Sequence, residues 1–175
     1  MSSIITSSKI LLETPYFSIK KDAYKFNETR KVHTYVDKEN AIIVVPIYDP
    51  DHIIGIKHYR YLCNDICFEL PAGGITKGEK PEDAAERELL EETGYQAEFI
   101  EEKYTFYPSN GILKEKVHIF FGYNLNKLND DIDKNEEIVE IVKLNLKEIK
   151  TLITENKILG ASSLIGLLIY LMEQQ

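Results

Sequence analysis

The stretch from Gly73 to Tyr95, GGITKGEKPEDAAERELLEETGY, constrains this chain more than any other. It reads as a tight glycine loop feeding a short helix. Pro81 suits the first helical position, where its missing N–H would be unpaired in any case. Glu82 and Asp83 in the first turn complement the helix dipole, and Gly94 is placed to end the helix in a left-handed conformation. Between these signals, Glu88, Glu91 and Glu92 are spaced to share one side of the helix. Ala85 and Leu89 lie beside them, where they would dock the helix on a core. Like charges at this spacing destabilise a helix by about a few tenths of a kcal/mol per pair, so the pattern predicts something positive over them. Hard divalent cations take oxygen ligands, and Mg²⁺ commonly uses one or two carboxylates together with substrate phosphates.

The stretch resembles the Nudix box, G-x5-E-x7-R-E-U-x-E-E-x-G-U, where U is a bulky aliphatic residue. Gly73, Glu79, Arg87, Glu88, Leu89, Glu91, Glu92 and Gly94 all stand at the required spacing. Tyr95 departs from it, standing where an aliphatic residue is usual, which touches packing and not the carboxylates. The resemblance implies a metal-dependent hydrolase acting on a nucleoside diphosphate linked to another group. It implies Glu88, Glu91, Glu92 and the main-chain carbonyl of Ala72 as metal ligands, with Mg²⁺ as the ion and Mn²⁺ as the alternative. Arg87 would position the box glutamates by an ion pair, Glu79 would support the loop or the metal shell, and Gly73 and Gly94 would shape the box.

The rest of the chain reads as strands and two further helices. Residues 10–36 alternate apolar and polar in two runs separated by Asn27 and Glu28, an antiparallel hairpin signal. Asn40 to Tyr48 is a nearly continuous apolar run, expected as a central strand buried on both faces. Asp49, Pro50 and Asp51 form a turn, and His52 to Tyr61 returns as a strand. Phe68 to Gly73 reads as a short strand leading into the box. Strands follow over 96–107, 116–124 and 138–144, with an acidic loop over 126–137. Helices are expected over 147–155 and 161–172. This is an α/β (α+β) pattern. The resemblance implies the Nudix α-β-α sandwich, a mixed sheet packed between helices, over residues 39–175, preceded by an N-terminal antiparallel β arm over residues 1–38. That arm is either a small structural flap or a dimer-forming element that also contacts substrate.

Three segments outside the box are similar to the ADP-ribose pyrophosphatase branch of that family. His58-Tyr59-Arg60-Tyr61 precedes the box, Phe68-Glu69-Leu70-Pro71-Ala72-Gly73 leads into it, and Tyr107-Pro108-Ser109-Asn110-Gly111 follows it, with Glu115 shortly after. His58 and Asn110 depart from the branch pattern, standing where Gln and a second proline are common. Arg60 is a candidate phosphate clamp, since a guanidinium grips phosphate bidentately; a surface arginine is the alternative. Glu69 contacts substrate or is a sheet-edge carboxylate. Glu115 binds ribose or metal, or is a solvated loop charge. Pro108 shapes the pocket or makes a turn. The resemblance implies a water that attacks the diphosphate, with Glu136 or Glu137, or one of the box glutamates Glu91 and Glu92, as its proton acceptor. His33, His52 and His118 show no ligand spacing and read as lone strand histidines.

Composition bounds the alternatives. A formal net charge of −8 over 175 residues argues against a surface that coats nucleic acid, but not against a small nucleotide, because bound metal inverts the local field. Cys63 and Cys67 have neither zinc-ribbon nor redox-motif spacing and read as reduced thiols in a cytoplasmic protein. No signal-peptide pattern opens the chain. Ile158 to Met172 is apolar but shorter than the roughly 20 residues that span a bilayer. The expectation is a cytoplasmic homodimer that splits ADP-ribose into AMP and ribose 5-phosphate. The competing substrates are another nucleotide sugar, a dinucleoside polyphosphate or a nucleoside triphosphate. A nucleotide sensor without turnover is the reading from another class, and the intact box glutamates weigh against it.

Overall fold

The structure is a computed structural model that describes residues 3–129 and 137–174. The elements in chain order are β1 (Ser3–Glu13), β2 (Ser18–Phe26), β3 (Thr29–Asp37), β4 (Ala41–Asp49), β5 (His52–Arg60), β6 (Asp65–Glu69), β7 (Ala72–Gly74) and α1 (Pro81–Thr93). They continue with β8 (Tyr95–Phe106), β9 (Leu113–Lys114), β10 (Val117–Lys127), β11 (Ile138–Asn145), α2 (Leu146–Thr154) and α3 (Ala161–Glu173). Two compact units share them: Met1–Asn40 with Phe106–Lys116, and Ala41–Thr105 with Val117–Gln175.

The first unit is a four-stranded sheet in the order β1-β2-β3-β9. The β2–β3 hairpin turns at Asn27 and Glu28, whose φ values of 46° and 62° are both positive. Such a two-residue turn matches the right-handed twist of the flanking strands. β1 adds antiparallel to β2 and extends the sheet beyond the two-stranded hairpin expected from the alternation. β9 falls between the strands expected over 96–107 and 116–124, and pairs in parallel with Val36 and Asp37 of β3.

The second unit is a mixed sheet in the order β11-β5-β4-β10-β8, with β6 added to β5 and β7 to β4. β4 is central. Its Ile42 and Val44 pack with Ala84, Ala85 and Leu89 of α1 and with Phe120 of β10, all fully buried. Ile43 and Val45 point to the opposite face, since strand side chains alternate. There they meet α3: a Cβ on Gly166 would stand 3.4 Å from Val45 and 3.6 Å from Ile43. A strand covered on both faces reads as a continuous apolar run, which is why Ile42–Val45 carries no polar residue. Full burial of Leu89 is worth roughly 1.5–3 kcal/mol. The sheet therefore lies between α1 and α3, the expected sandwich. Among the described residues, no helix is long and apolar enough to cross a membrane.

Two details position the box. The strand expected over Phe68–Gly73 is broken at Leu70–Pro71, because β6 pairs with β5 whereas β7 pairs with β4. Proline cannot donate to a ladder, and the break lets the chain change partners there. The Leu70 N–H donates to Ser163 Oγ of α3 at 3.1 Å, and the Val44 N–H donates to the Pro71 carbonyl at 2.8 Å. The crossing into β7 is thus held from both sides.

Candidate active site

α1 begins at Pro81 and is closed by Gly94, whose φ of 70° and N–H bond to the Leu90 carbonyl make the left-handed cap. Because Ala84, Ala85 and Leu89 fix which face meets the sheet, the glutamates beside them are turned toward β7. Glu92 is 3% exposed, and its Oε2 accepts the Ala72 N–H at 3.0 Å. Glu88 is 9% exposed. Its carboxylate occupies the space a side chain at position 73 would need: a Cβ there would stand 1.9 Å from Glu88 Oε1. Glycine is thus required at 73 by close approach. The Ala72–Ile43 register leaves the Ala72 N–H facing the helix, and its carbonyl lies on the same edge of the strand, as for any extended residue.

Arg87 ties this arrangement together. Its Nη1 donates to Glu88 Oε1 at 2.6 Å and to Glu91 Oε2 at 3.1 Å, and its Nη2 donates to the Gly74 carbonyl at 3.1 Å. Its Nε and Nη2 also grip Glu79 at 2.9 and 3.1 Å. Glu79 in turn accepts the Thr76 N–H and hydroxyl, both at 2.8 Å. One guanidinium therefore spans the loop, β7 and two box glutamates. The sequence reading missed Thr76, although Thr76-x-x-Glu79 has the spacing of a capping box.

The Arg87 hydrogen bonds hold Glu79 well below its ordinary value, at about 2, with help from the Thr76 N–H. Glu79 likewise leads the raising of Arg87. A depressed carboxylate favours the folded state only while ionised. The Glu79 contribution is therefore complete above the unfolded value near 4.5 and lost as pH falls toward 2. Urea-unfolding midpoints of wild type and Glu79→Gln should converge as pH falls through that window. A gap independent of pH would show that Glu79 acts through packing alone.

The second pair of predicted residues is also brought together. Arg60 Nε donates to Glu69 Oε1 at 2.9 Å and Nη2 to Oε2 at 2.5 Å. This is a two-pronged grip of the geometry a phosphate would also accept. Glu137 is exposed, and its carbonyl accepts the Tyr59 N–H at 3.0 Å, which places it beside the Arg60 end of β5. Glu136 lies outside the described residues. Pro108 and Glu115 belong to the other unit. Pro108 precedes a turn in which the Ile112 and Leu113 N–H groups donate to the Ser109 carbonyl. Glu115 is buried and accepts Lys38 Nζ at 2.7 Å. Lys38 carried no sequence signal for that role. His118 is not solitary, since its Nδ1 lies 2.7 Å from Glu102 Oε1, and His52 meets Asp49 at the same distance.

The donors gathered on β7 and α1 are carboxylates and main-chain carbonyls. All are oxygen, the ligand type of hard divalent cations. As they stand, no group of three or more His, Cys, Asp or Glu side chains among the described residues converges on one ion position. Arg87 is the cation spread over Glu88 and Glu91.

The NUDIX domain profile matches residues 37–160. The chain is 34% identical to an ADP-ribose pyrophosphatase of Bacillus subtilis over 73% of its own length and 70% of that protein's. It is 33% identical to a methanol dehydrogenase activator of Bacillus methanolicus, over 72% and 69%. A crystal structure of an ADP compounds hydrolase superposes with a TM-score of 0.81 at 22% identity, covering 97% of this chain and 92% of that one, which shows the fold. Hydrolases of this family generally use divalent metal cations. The chain belongs to the Nudix hydrolases, as a pyrophosphohydrolase related to the ADP-ribose pyrophosphatases.

Proposed function

We propose that this protein hydrolyses ADP-ribose to AMP and ribose 5-phosphate in a reaction that depends on Mg²⁺, with Mn²⁺ as the alternative ion. The observation that carries the proposal is the set of box carboxylates drawn against Ala72–Gly74. Glu92 is bonded to the Ala72 N–H, Glu88 lies over Gly73, and Arg87 joins Glu88 and Glu91 to the Gly74 carbonyl. The Bacillus subtilis relative supports the substrate.

In this reading Glu88, Glu91, Glu92 and the Ala72 carbonyl hold the metal. When bound, the ion supplies charge neutralisation at the diphosphate and acidifies water. Arg87 keeps the glutamates aimed by pulling them toward β7 and the loop. Arg60 turns part of its guanidinium from Glu69 to the diphosphate, and Glu69 keeps the remaining N–H groups oriented. Water attacks one phosphorus, the bridging P–O bond breaks, and the other phosphate leaves with the bridging oxygen. The water's proton passes to a carboxylate. Glu137, placed near Arg60, and the box residues Glu91 and Glu92 are the described candidates, and Glu136 is the adjacent one. Pro108 and Glu115 stand as substrate contacts on the resemblance alone.

The protein is further proposed to be a homodimer. β1 is exposed along its whole length although it carries Ile4, Ile5, Ile10, Leu11 and Leu12, and exposed apolar surface of this kind marks an interaction face. A monomer mass by light scattering would remove this part.

The substrate is tested by comparing kcat/KM for ADP-ribose, ADP-sugars, GDP-mannose, NADH, diadenosine polyphosphates and nucleoside triphosphates. ADP-ribose should lead the panel. Preference for another compound would overturn the substrate while leaving the family chemistry intact. Tight ADP-ribose binding without cleavage would favour a sensor.

A further inference from the structure

The loop between β7 and α1 contains a turn over Thr76-Lys77-Gly78-Glu79. The Glu79 N–H donates to the Thr76 carbonyl at 3.0 Å. In return, the Thr76 N–H and hydroxyl both donate to Glu79 Oε2 at 2.8 Å. Gly78 takes a φ of 89° in this turn, a conformation glycine adopts without steric cost. The turn thus grips the side chain of its own last residue and holds the Glu79 carboxylate in one orientation.

That orientation is passed to Arg87. Glu79 Oε2, held by Thr76, also accepts Arg87 Nη2 at 3.1 Å, and Oε1 accepts Arg87 Nε at 2.9 Å. A two-pronged pair of this kind fixes the plane of the guanidinium. The remaining nitrogen, Nη1, is thereby directed at Glu88 Oε1 and Glu91 Oε2, at 2.6 and 3.1 Å. A continuous line of contacts runs from the Thr76 hydroxyl through Glu79 and Arg87 to the box carboxylates.

We propose that Thr76 is a positioning residue whose hydroxyl sets the affinity of Glu88 and Glu91 for a divalent cation, acting through Glu79 and Arg87. The proposal rests on the reading of Glu88 and Glu91 as metal ligands.

Arg87 has two effects on those glutamates. It aims them, and it is itself a cation on the same oxygens. Nη1 must yield part of its hold on Glu88 and Glu91 when a divalent cation arrives. It can yield because Glu79 and the Gly74 carbonyl keep the other nitrogens paired. Without the Thr76 hydroxyl, the turn offers Glu79 Oε2 only the Thr76 N–H. The carboxylate is then freer to rotate, and Arg87 rests more of its charge on Glu88 and Glu91. Both effects weaken metal binding. Groups that orient metal ligands are typically worth about 10–100-fold in affinity. Thr76 is exposed and acts through two intervening side chains, so the lower end applies.

The test titrates Mn²⁺ into wild type, Thr76→Val, Thr76→Ser and Glu88→Gln in the absence of substrate, with the free ion read by electron paramagnetic resonance. Valine keeps the shape and the N–H and removes the hydroxyl, whereas serine keeps the hydroxyl. Thr76→Val should bind Mn²⁺ about tenfold more weakly, and Thr76→Ser should stay within about twofold of wild type. Wild-type affinity in Thr76→Val overturns the proposal, and so does an equal loss in both Thr76 variants. On whichever compound leads the substrate panel, the Mg²⁺ concentration for half-maximal rate should rise by a similar factor in Thr76→Val, while kcat at saturating Mg²⁺ stays within about twofold. A kcat that remains low at saturating Mg²⁺ also overturns it. Glu88→Gln keeps the two failures apart: wild-type Mn²⁺ affinity in that variant would remove Glu88 as a ligand, whatever Thr76 does.

Discussion

Glu92→Gln should lower kcat by about 10²–10⁴-fold, the range for loss of a carboxylate that acts on the reacting groups. The substitution separates chemistry from folding. Glu92 is 3% exposed and accepts the Ala72 N–H. Glutamine keeps a carbonyl oxygen for that bond, so β7 stays docked on α1, but it removes the negative charge that a divalent cation requires. The thermal midpoint should therefore stay within about 2 °C of wild type, the shift expected for a change well below 1 kcal/mol. A variant with wild-type turnover would remove Glu92 from the site. A variant that lost activity by unfolding would make Glu92 a structural residue.

Gly73→Ala should also be nearly inactive, for a different reason. Position 73 is ordinary strand backbone paired with Ile42, so alanine meets no conformational penalty there. Its Cβ, however, would stand 1.9 Å from Glu88 Oε1, 2.1 Å from Cδ and 2.5 Å from Oε2. The clash is with the end of a flexible side chain, and the carboxylate can swing away. Fold stability should drop little, while Glu88 leaves its position and strains its bond to Arg87. A displacement of about 1 Å in a catalytic arrangement can cost 10²-fold in rate, and a loss of at least that size is expected in kcat. Wild-type turnover would mean that the place of Glu88 over Gly73 is irrelevant to catalysis.

Features carried by local chemistry were legible in the sequence. Pro81 and Gly94 mark the ends of α1, and the apolar run of β4 announces a strand covered on both sides. Asn27 and Glu28 separate the arms of a hairpin. The spacing of Glu88, Glu91 and Glu92 predicted a positive partner, and Arg87 is one. Features that depend on distant pairing were not legible. β1 is exposed throughout, so it has no buried face to leave an alternating pattern. β9 is two residues long and exists only through its parallel pairing with β3. The meeting of Arg60 and Glu69 depends on the hairpin between them, and that of Lys38 and Glu115 on the two segments of their unit coming together. Nothing local at either residue encodes the partner. Glu79 was legible as a member of the motif, but its grip on Thr76 and Arg87 at once emerges only in three dimensions.

The most direct test of the account is AMP release from ADP-ribose in excess Mg²⁺, then with EDTA, then with Mg²⁺ restored. EDTA should abolish turnover and restored Mg²⁺ should return it. Turnover that persists in EDTA, or its absence with Mg²⁺ present, would contradict it.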